Sequence, residues 1–295
     1  MYLEMSDKVN LYVKQSGNGI PCIFIHGGPG GCSYDFEILG GNSLESFMKM
    51  LYFDQRGSGR SGGDANSDYS IDRIVEDIEE IRKGLGIGKW VVMAHSFGGI
   101  IAVNYVYKYQ KFVDKLILLN ATLNIEDSLI NQIYYGYKLL HKEELQSSVF
   151  SSVLEKWQYV FNLLNEKNIF YKLQYRDYSN FAKVNDIISE IKNINTAMAN
   201  QAFKNKEYFV SYFHITKEID VPVLVIAGSE DFAIGPNHHE NFIFSNERIE
   251  IIKGKHILYV ENIQELKMVI KAFIENLYYL NNENAIIKWK IVKFK

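Results

Sequence analysis

WVVMAHSFGG, residues 90–99, decides how this chain is read. Trp90, Val91, Val92 and Met93 make a continuous apolar run, the mark of a strand covered on both faces. From Gly98 to Tyr109 the pattern is helical. Ala94–His95–Ser96–Phe97–Gly98–Gly99 is therefore a turn squeezed between a strand and a helix. A serine hydroxyl is a poor nucleophile unless it is exposed and hydrogen-bonded to a base. A tight strand-to-helix turn exposes it by forcing the serine into a strained backbone conformation. The residues two before and two after must be small, because strand and helix nearly touch there, and they are Ala94 and Gly98. Alanine in place of glycine adds one methyl group. The alternative is an ordinary serine in a strand-to-helix loop.

The same apolar signature recurs on either side. Ile20–Ile25, Met50–Phe53, Leu116–Leu119 and Val223–Ala227 read as covered strands, with Arg248–Ile252 a weaker edge candidate. Lys8–Lys14 alternates like a half-exposed strand, and Gly17–Asn18–Gly19 reads as a hairpin turn after it. After Ser70, apolar side chains at Ile71, Ile74, Val75, Ile78, Ile81 and Leu85 form one helical stripe with Ser70 as N-cap. Ile263 to Leu277 is another helix. Strands alternating with helices predict an α/β fold with a mostly parallel sheet covered on both sides.

The rhythm breaks between about Leu123 and His214, where aromatics such as Tyr134, Trp157, Phe161 and Tyr175 recur at helical spacings. The reading is a core in two parts, residues 1–122 and 214–280, with a helical cap inserted at 123–213 and a lysine-rich tail at 281–295. The 295 residues are 47% hydrophobic and 23% charged, enough to bury a substantial core. A net charge of −3 gives no general attraction to nucleic acid. No apolar run is long enough to span a membrane, and a mean hydropathy of −0.13 agrees. The N-terminus lacks a basic region followed by an apolar stretch, and two cysteines, Cys22 and Cys32, make no disulfide framework. A cytoplasmic protein without nucleic-acid or membrane partners is expected.

Two further elements complete a hydrolytic site. His26–Gly27–Gly28–Pro29–Gly30–Gly31 follows the strand Ile20–Ile25 directly. Acyl transfer develops negative charge on a carbonyl oxygen, and backbone N–H groups aimed at that oxygen stabilise it. The N–H of Phe97 in the elbow and that of Gly28 in this loop are the expected oxyanion donors. The loop lacks the Lys-Ser/Thr ending of a phosphate-binding loop and the spacing of a dinucleotide fingerprint. After Val223–Ala227 comes Gly228–Ser229–Glu230–Asp231, which puts a carboxylate at the sheet edge where ligands bind in open α/β folds. Gly254–Lys255–His256 places an imidazole on the next loop. Ser96, Asp231 and His256 stand in the chain order this kind of site uses, with Glu230 the rival acid. His95 would point away from the hydroxyl, and His26 would brace the glycine loop. Adjacent helical residues point about 100° apart, so His238 and His239 read as a solvated helix start rather than a metal site.

These residues resemble the proline iminopeptidase branch of the α/β-hydrolases, through His26–Gly31, the segment Asp54–Gln–Arg–Gly–Ser–Gly–Arg–Ser61, and the serine elbow. The resemblance implies a mostly parallel eight-stranded sheet, a helical cap, Ser96, Asp231 and His256 as the triad, and no cofactor. It implies a serine hydrolase that forms an acyl-enzyme, an aminopeptidase acting on short peptides or small amides. A carboxylesterase or lactonase acting on small esters is the alternative, and a ligand-binding protein of the same fold a further one. Members of that branch hold the substrate's ammonium group with acidic side chains. Phe232 stands where some carry an acid after the triad aspartate, and Trp157 is followed by Gln158–Tyr159–Val160–Phe161 where others carry Trp-x-x-Trp-Glu. An acid from the cap is therefore expected at the site, with Glu166, Glu190 and Glu207 as candidates.

Overall fold

The computed structural model describes residues 1–143 and 146–276. The tail 281–295 and the final residue of the helix expected over 263–277 lie outside them. Eight strands form one sheet: β1 (Tyr2–Glu4), β2 (Asn10–Ser16), β3 (Ile20–Ile25), β4 (Met48–Phe53), β5 (Trp90–Ser96), β6 (Val113–Ala121), β7 (Val223–Gly228) and β8 (Glu247–Ile252). Their order is β1-β2-β4-β3-β5-β6-β7-β8, antiparallel at β1/β2 and β2/β4 and parallel from β4 onward. Gly17–Gly19 is therefore not a hairpin turn. β2 pairs with β4, which lies between β2 and β3, so those residues carry the chain over a neighbouring strand.

The apolar runs are apolar because both faces of the sheet are covered. Ile23 and Ile25 of β3 pack into one core cluster with Val92 and Ala94 of β5, while Cys22 and Phe24 join Val91 and Met93 in the other. Two helices close the first face: α2 (Ile71–Gly84) turns Ile74, Val75, Ile78 and Ile81 inward, and α3 (Gly98–Tyr109) runs back from the elbow. Ser70 caps α2 through its side chain, which accepts the Arg73 N–H at 3.2 Å. Short α1 (Tyr34–Leu39), α8 (Leu258–Glu261) and α9 (Ile263–Ile274) contribute to the second face. Each buried Ile or Val contributes roughly 1.5–3 kcal/mol, so truncation in β3 or β5 would weaken the platform that carries the site. No helix among the described residues is long and apolar enough to cross a membrane.

Between β6 and β7 the chain leaves the sheet and forms α4 (Ile125–Leu140), α5 (Val153–Glu166), α6 (Tyr178–Ser189) and α7 (Ala197–Gln201), joined by short 3-10 turns. Ile133, Tyr137, Val160 and Leu164 give α4 and α5 a small core of their own. Hydrogen bonds fasten this segment to the core at several places. On one side Asn195 exchanges two backbone bonds with Gly59, at 3.1 and 2.8 Å, and Met198 N donates to Gly57 O. On the other, His256 N donates to Gln174 O and the Lys255 ammonium to Lys172 O.

Candidate active site

β5 ends in Ser96, whose φ of +56° lies in the left-handed region that a non-glycine residue rarely occupies. The close approach required of its neighbours is present. A Cβ on Gly98 would stand 2.3 Å from the Ile25 carbonyl oxygen, so only glycine fits. The Ser96 hydroxyl lies 3.0 Å from Nε2 of His256, and Nδ1 of His256 lies 2.8 Å from Oδ2 of Asp231. An ionised carboxylate only accepts, so the imidazole proton belongs on Nδ1 and Nε2 is left to accept from the serine. Asp231 is wholly buried, and its other oxygen accepts the N–H groups of Ala233 and Ile234. Burial alone would raise its carboxyl, but His256 and the backbone donors outweigh that and hold it below the ordinary range.

Glu230, the rival acid, turns the other way. It forms an ion pair with Arg176 at 2.8 Å and joins the fastening between the inserted segment and the histidine loop. His95 donates through Nε2 to the His256 carbonyl oxygen, 3.0 Å away, and burial beside His256 pushes its imidazole down to about 3. It is a neutral brace. His238 is not a solvated helix start: it begins a 3-10 turn, bonds the Gly235 carbonyl through Nδ1, and is driven down to about 4 by burial.

One residue holding the triad loops together escaped the sequence reading. Asn120, at the end of β6, is buried with φ +41°. Its carboxamide accepts from Gly228 N at 2.6 Å and donates to the carbonyl oxygens of Lys255 and His256 at 2.9 Å each. It thereby ties the aspartate loop to the histidine loop. A polar residue embedded in the apolar run Leu116–Leu119 and Ala121 was the available signal.

The glycine loop rests on the Asp54–Ser61 segment. Gln55 N donates to His26 Nε2 and its side chain donates to the His26 carbonyl oxygen. Asp54 is wholly buried and collects the N–H and hydroxyl of Ser33 together with the N–H and guanidinium of Arg60, at 2.7–3.1 Å. Despite burial, Arg60 holds its carboxyl below the ordinary range. Gly28, at φ +131°, borders the same space as Ser96 and Phe97.

Two chambers meet at Ser96 and share Gly28 and Gln174 as walls. The first, about 290 Å³, is lined by Ile125, Leu129, Trp157, Phe170, Phe203 and Ile234 among others and contains no carboxylate among the described residues. The second, about 220 Å³, lies on the His256 side and includes Asp35, Cys32, Ile188 and Tyr259. The expected cap acids are elsewhere. Glu166 is exposed at the end of α5, Glu190 accepts from the Tyr34 hydroxyl, and Glu207 caps α2 by accepting the Ile71 N–H. Phe232 stacks on Tyr135 of α4 with centroids 4.0 Å apart. The position after Asp231 thus packs the segment down instead of presenting a charge.

A profile of the alpha/beta hydrolase fold matches residues 20–263, which places this strand-elbow-loop arrangement in a known lineage. The chain belongs to the alpha/beta hydrolase fold family. It is 26% identical to a proline iminopeptidase of Saccharolobus solfataricus over 92% of this chain and 91% of that protein. Among solved structures, the proline iminopeptidase-related protein from Thermus thermophilus superposes with a TM-score of 0.77 at 22% identity, over 94% of this chain and 97% of that one. An esterase from Exiguobacterium antarcticum superposes with a TM-score of 0.70 at 17% identity, over 93% and 98% of the two chains.

Proposed function

We propose that this chain is a serine hydrolase working through an acyl-enzyme, a proline iminopeptidase-like aminopeptidase acting on short peptides or small amides. The observation that carries the reading is the unbroken hydrogen-bonded line from Ser96 through His256 to buried Asp231. Ser96 attacks the scissile carbonyl carbon while His256 takes its proton, and Asp231 keeps His256 in the useful tautomer and stabilises the imidazolium. The N–H groups of Gly28 and Phe97 receive the oxyanion, and removing one such donor typically costs about 10²–10³ in kcat. His256 then delivers the proton to the leaving amine nitrogen as the C–N bond breaks. Water, deprotonated by the same imidazole, attacks the acyl-enzyme ester and restores Ser96. Each proton moves between named side chains and substrate, so the cycle calls for no cofactor.

Residues 123–213 act as a cap between the two core parts, 1–122 and 214–280, and close the two chambers over Ser96. The similarity to the Saccharolobus proline iminopeptidase along nearly the whole chain supports the peptide or amide substrate. Cys22 and Cys32, both buried free thiols, support a cytoplasmic setting. The second reading is an esterase or lactonase, favoured by the chamber that is apolar and free of carboxylates.

Two measurements test this. A fluorophosphonate probe should label the parent enzyme at one serine, and Ser96→Ala should abolish labelling and lower turnover by about 10⁴–10⁶. Labelling that persists would remove Ser96 from the mechanism. Prolyl, alanyl and leucyl arylamides should be cleaved better than short p-nitrophenyl esters of similar size. Esters preferred throughout would put the second reading first.

A further inference from the structure

An aminopeptidase must receive a protonated amine beside its nucleophile, and an unpaired charge entering a partly dry chamber is costly unless an opposite charge meets it. Cap glutamates do not supply that charge, since Glu166, Glu190 and Glu207 are exposed or spent on other partners. The chamber on the His256 side does contain a carboxylate, from an element of the core. Asp35 sits in the first turn of α1, just after the glycine loop, half-buried and lining the same 220 Å³ space as Ser96 and His256.

Its surroundings leave the charge without a cation. Oδ2 accepts the hydroxyl of Tyr259 at 2.5 Å, and Asp35 belongs to no ion pair among the described residues. Among the described residues the chamber lining includes no lysine or arginine. The three imidazoles of the lining are engaged: His26 with Gln55 N and the Gly27 carbonyl, His95 with the His256 carbonyl, and His256 with Asp231 and Ser96. Burial holds the Asp35 carboxyl above the ordinary range, as it must where an anion lacks a counter-charge. An ammonium docked there would reverse that penalty. Phe24, Ile188 and Ile257 supply apolar walls for the carbon skeleton that carries the amine.

We propose that this chamber is an ammonium subsite in which Asp35 pairs with a protonated amine of the substrate, while Ser96 attacks the neighbouring carbonyl. The proposal rests on the aminopeptidase reading and assigns the acid that reading requires. The amine has two sources with one chemistry, the α-amino group or a side-chain amine, and substrates separate them.

The test uses the full chain with Asp35→Asn and two kinds of measurement. In the first, kinetics on prolyl arylamide, Nα-acetyl-lysyl arylamide and an uncharged p-nitrophenyl ester are compared. Asp35→Asn should raise KM about tenfold or more for whichever amine-bearing substrate the parent prefers, and change the ester less than about twofold. In the second, pyrrolidine and butylamine are used as inhibitors of ester hydrolysis, a readout that needs no peptidase activity. They should compete in the parent and lose about tenfold in affinity in Asp35→Asn. Tyr259→Phe, which keeps the carboxylate, should retain amine inhibition. Equal amine inhibition of parent and Asp35→Asn, or equal loss on ester and arylamide, overturns the subsite. Asp35-dependent amine inhibition with no arylamide turnover in the parent upholds the subsite and overturns the aminopeptidase reading instead.

Discussion

The two chambers that meet at Ser96 are built from different parts of the chain and offer different chemistry. The apolar one draws its walls from α4, α5 and α7, with Trp157, Phe170 and Phe203 facing Ile234. The smaller one is walled mostly by the sheet and its loops, with Asp35 and Tyr259 at its side. The Ser96–His256–Asp231 line serves both, because it lies at their junction. The difference teaches that reaction type and substrate choice are set by separate layers. On the proposed mechanism, the sheet edge fixes the bond-breaking groups, while a chamber's polarity fixes what is brought to them.

That separation can be broken by substitution, starting with the largest effect. Asp231→Asn should lower kcat about 10⁴-fold on arylamides and esters alike, since an amide permits the wrong histidine tautomer. Glu230→Gln should change either rate less than about threefold, because its pair with Arg176 is partly exposed. The opposite ranking would transfer the acid's role to Glu230. A depressed Asp231 carboxyl contributes stability above its unfolded value, near 3.8, that is lost as pH falls through its lower folded value. Acid unfolding of Asp231→Asn, followed by circular dichroism, should therefore be flatter in that window.

Asn120→Ala comes next, with kcat down about 10–100-fold on both substrate classes as the aspartate and histidine loops lose a side-chain tie between them. It should also cost about 1–3 kcal/mol in denaturant unfolding, for the buried groups left unpaired. A loss confined to one substrate class would show that Asn120 shapes a chamber instead. Trp157→Ala should be the most selective. KM should rise about tenfold for substrates with a large apolar group and stay level for acetyl esters. An equal change on all substrates would mean that the apolar chamber does not hold substrate.

The hydrogen-bonded line was legible because each of its proposed members closes or follows a strand. Ser96 closes β5, and Asp231 and His256 follow β7 and β8 on loops marked by glycine. Glu230 and Asp231 could not be separated by spacing alone, since both leave the same strand. What divides them is a long-range partner, Arg176, in another part of the chain. The cap acids failed for a related reason. Helical periodicity shows which face is apolar, but not whether a glutamate beside that face meets the site, a tyrosine hydroxyl or a helix N-terminus. Asp35 gave no signal because α1 has six residues, too few for a period, and its neighbours Tyr34 and Phe36 form no motif. Gly17–Gly19 misled because turn residues report a local bend and say nothing of which strand pairs next. β1, with three residues, was too short for alternation to register.

One seat on which the inserted segment rests is made of main-chain atoms on the core side. Gly57 O, Gly59 N and O, Ser61 O, Gly63 O and Tyr69 O meet Met198, Asn195, Asn205 and Tyr208 from above. Main-chain groups are present whatever the side chain, so exchange at the exposed positions 64–66 and 68 preserves the seat, whereas Gly57 and Gly59 hold positive φ with no room for a Cβ. An inserted or deleted residue there shifts the whole row of donors and acceptors against its counterpart. This stretch is therefore strict about length, and the inserted segment above it is held in register by Asn195 over Gly59.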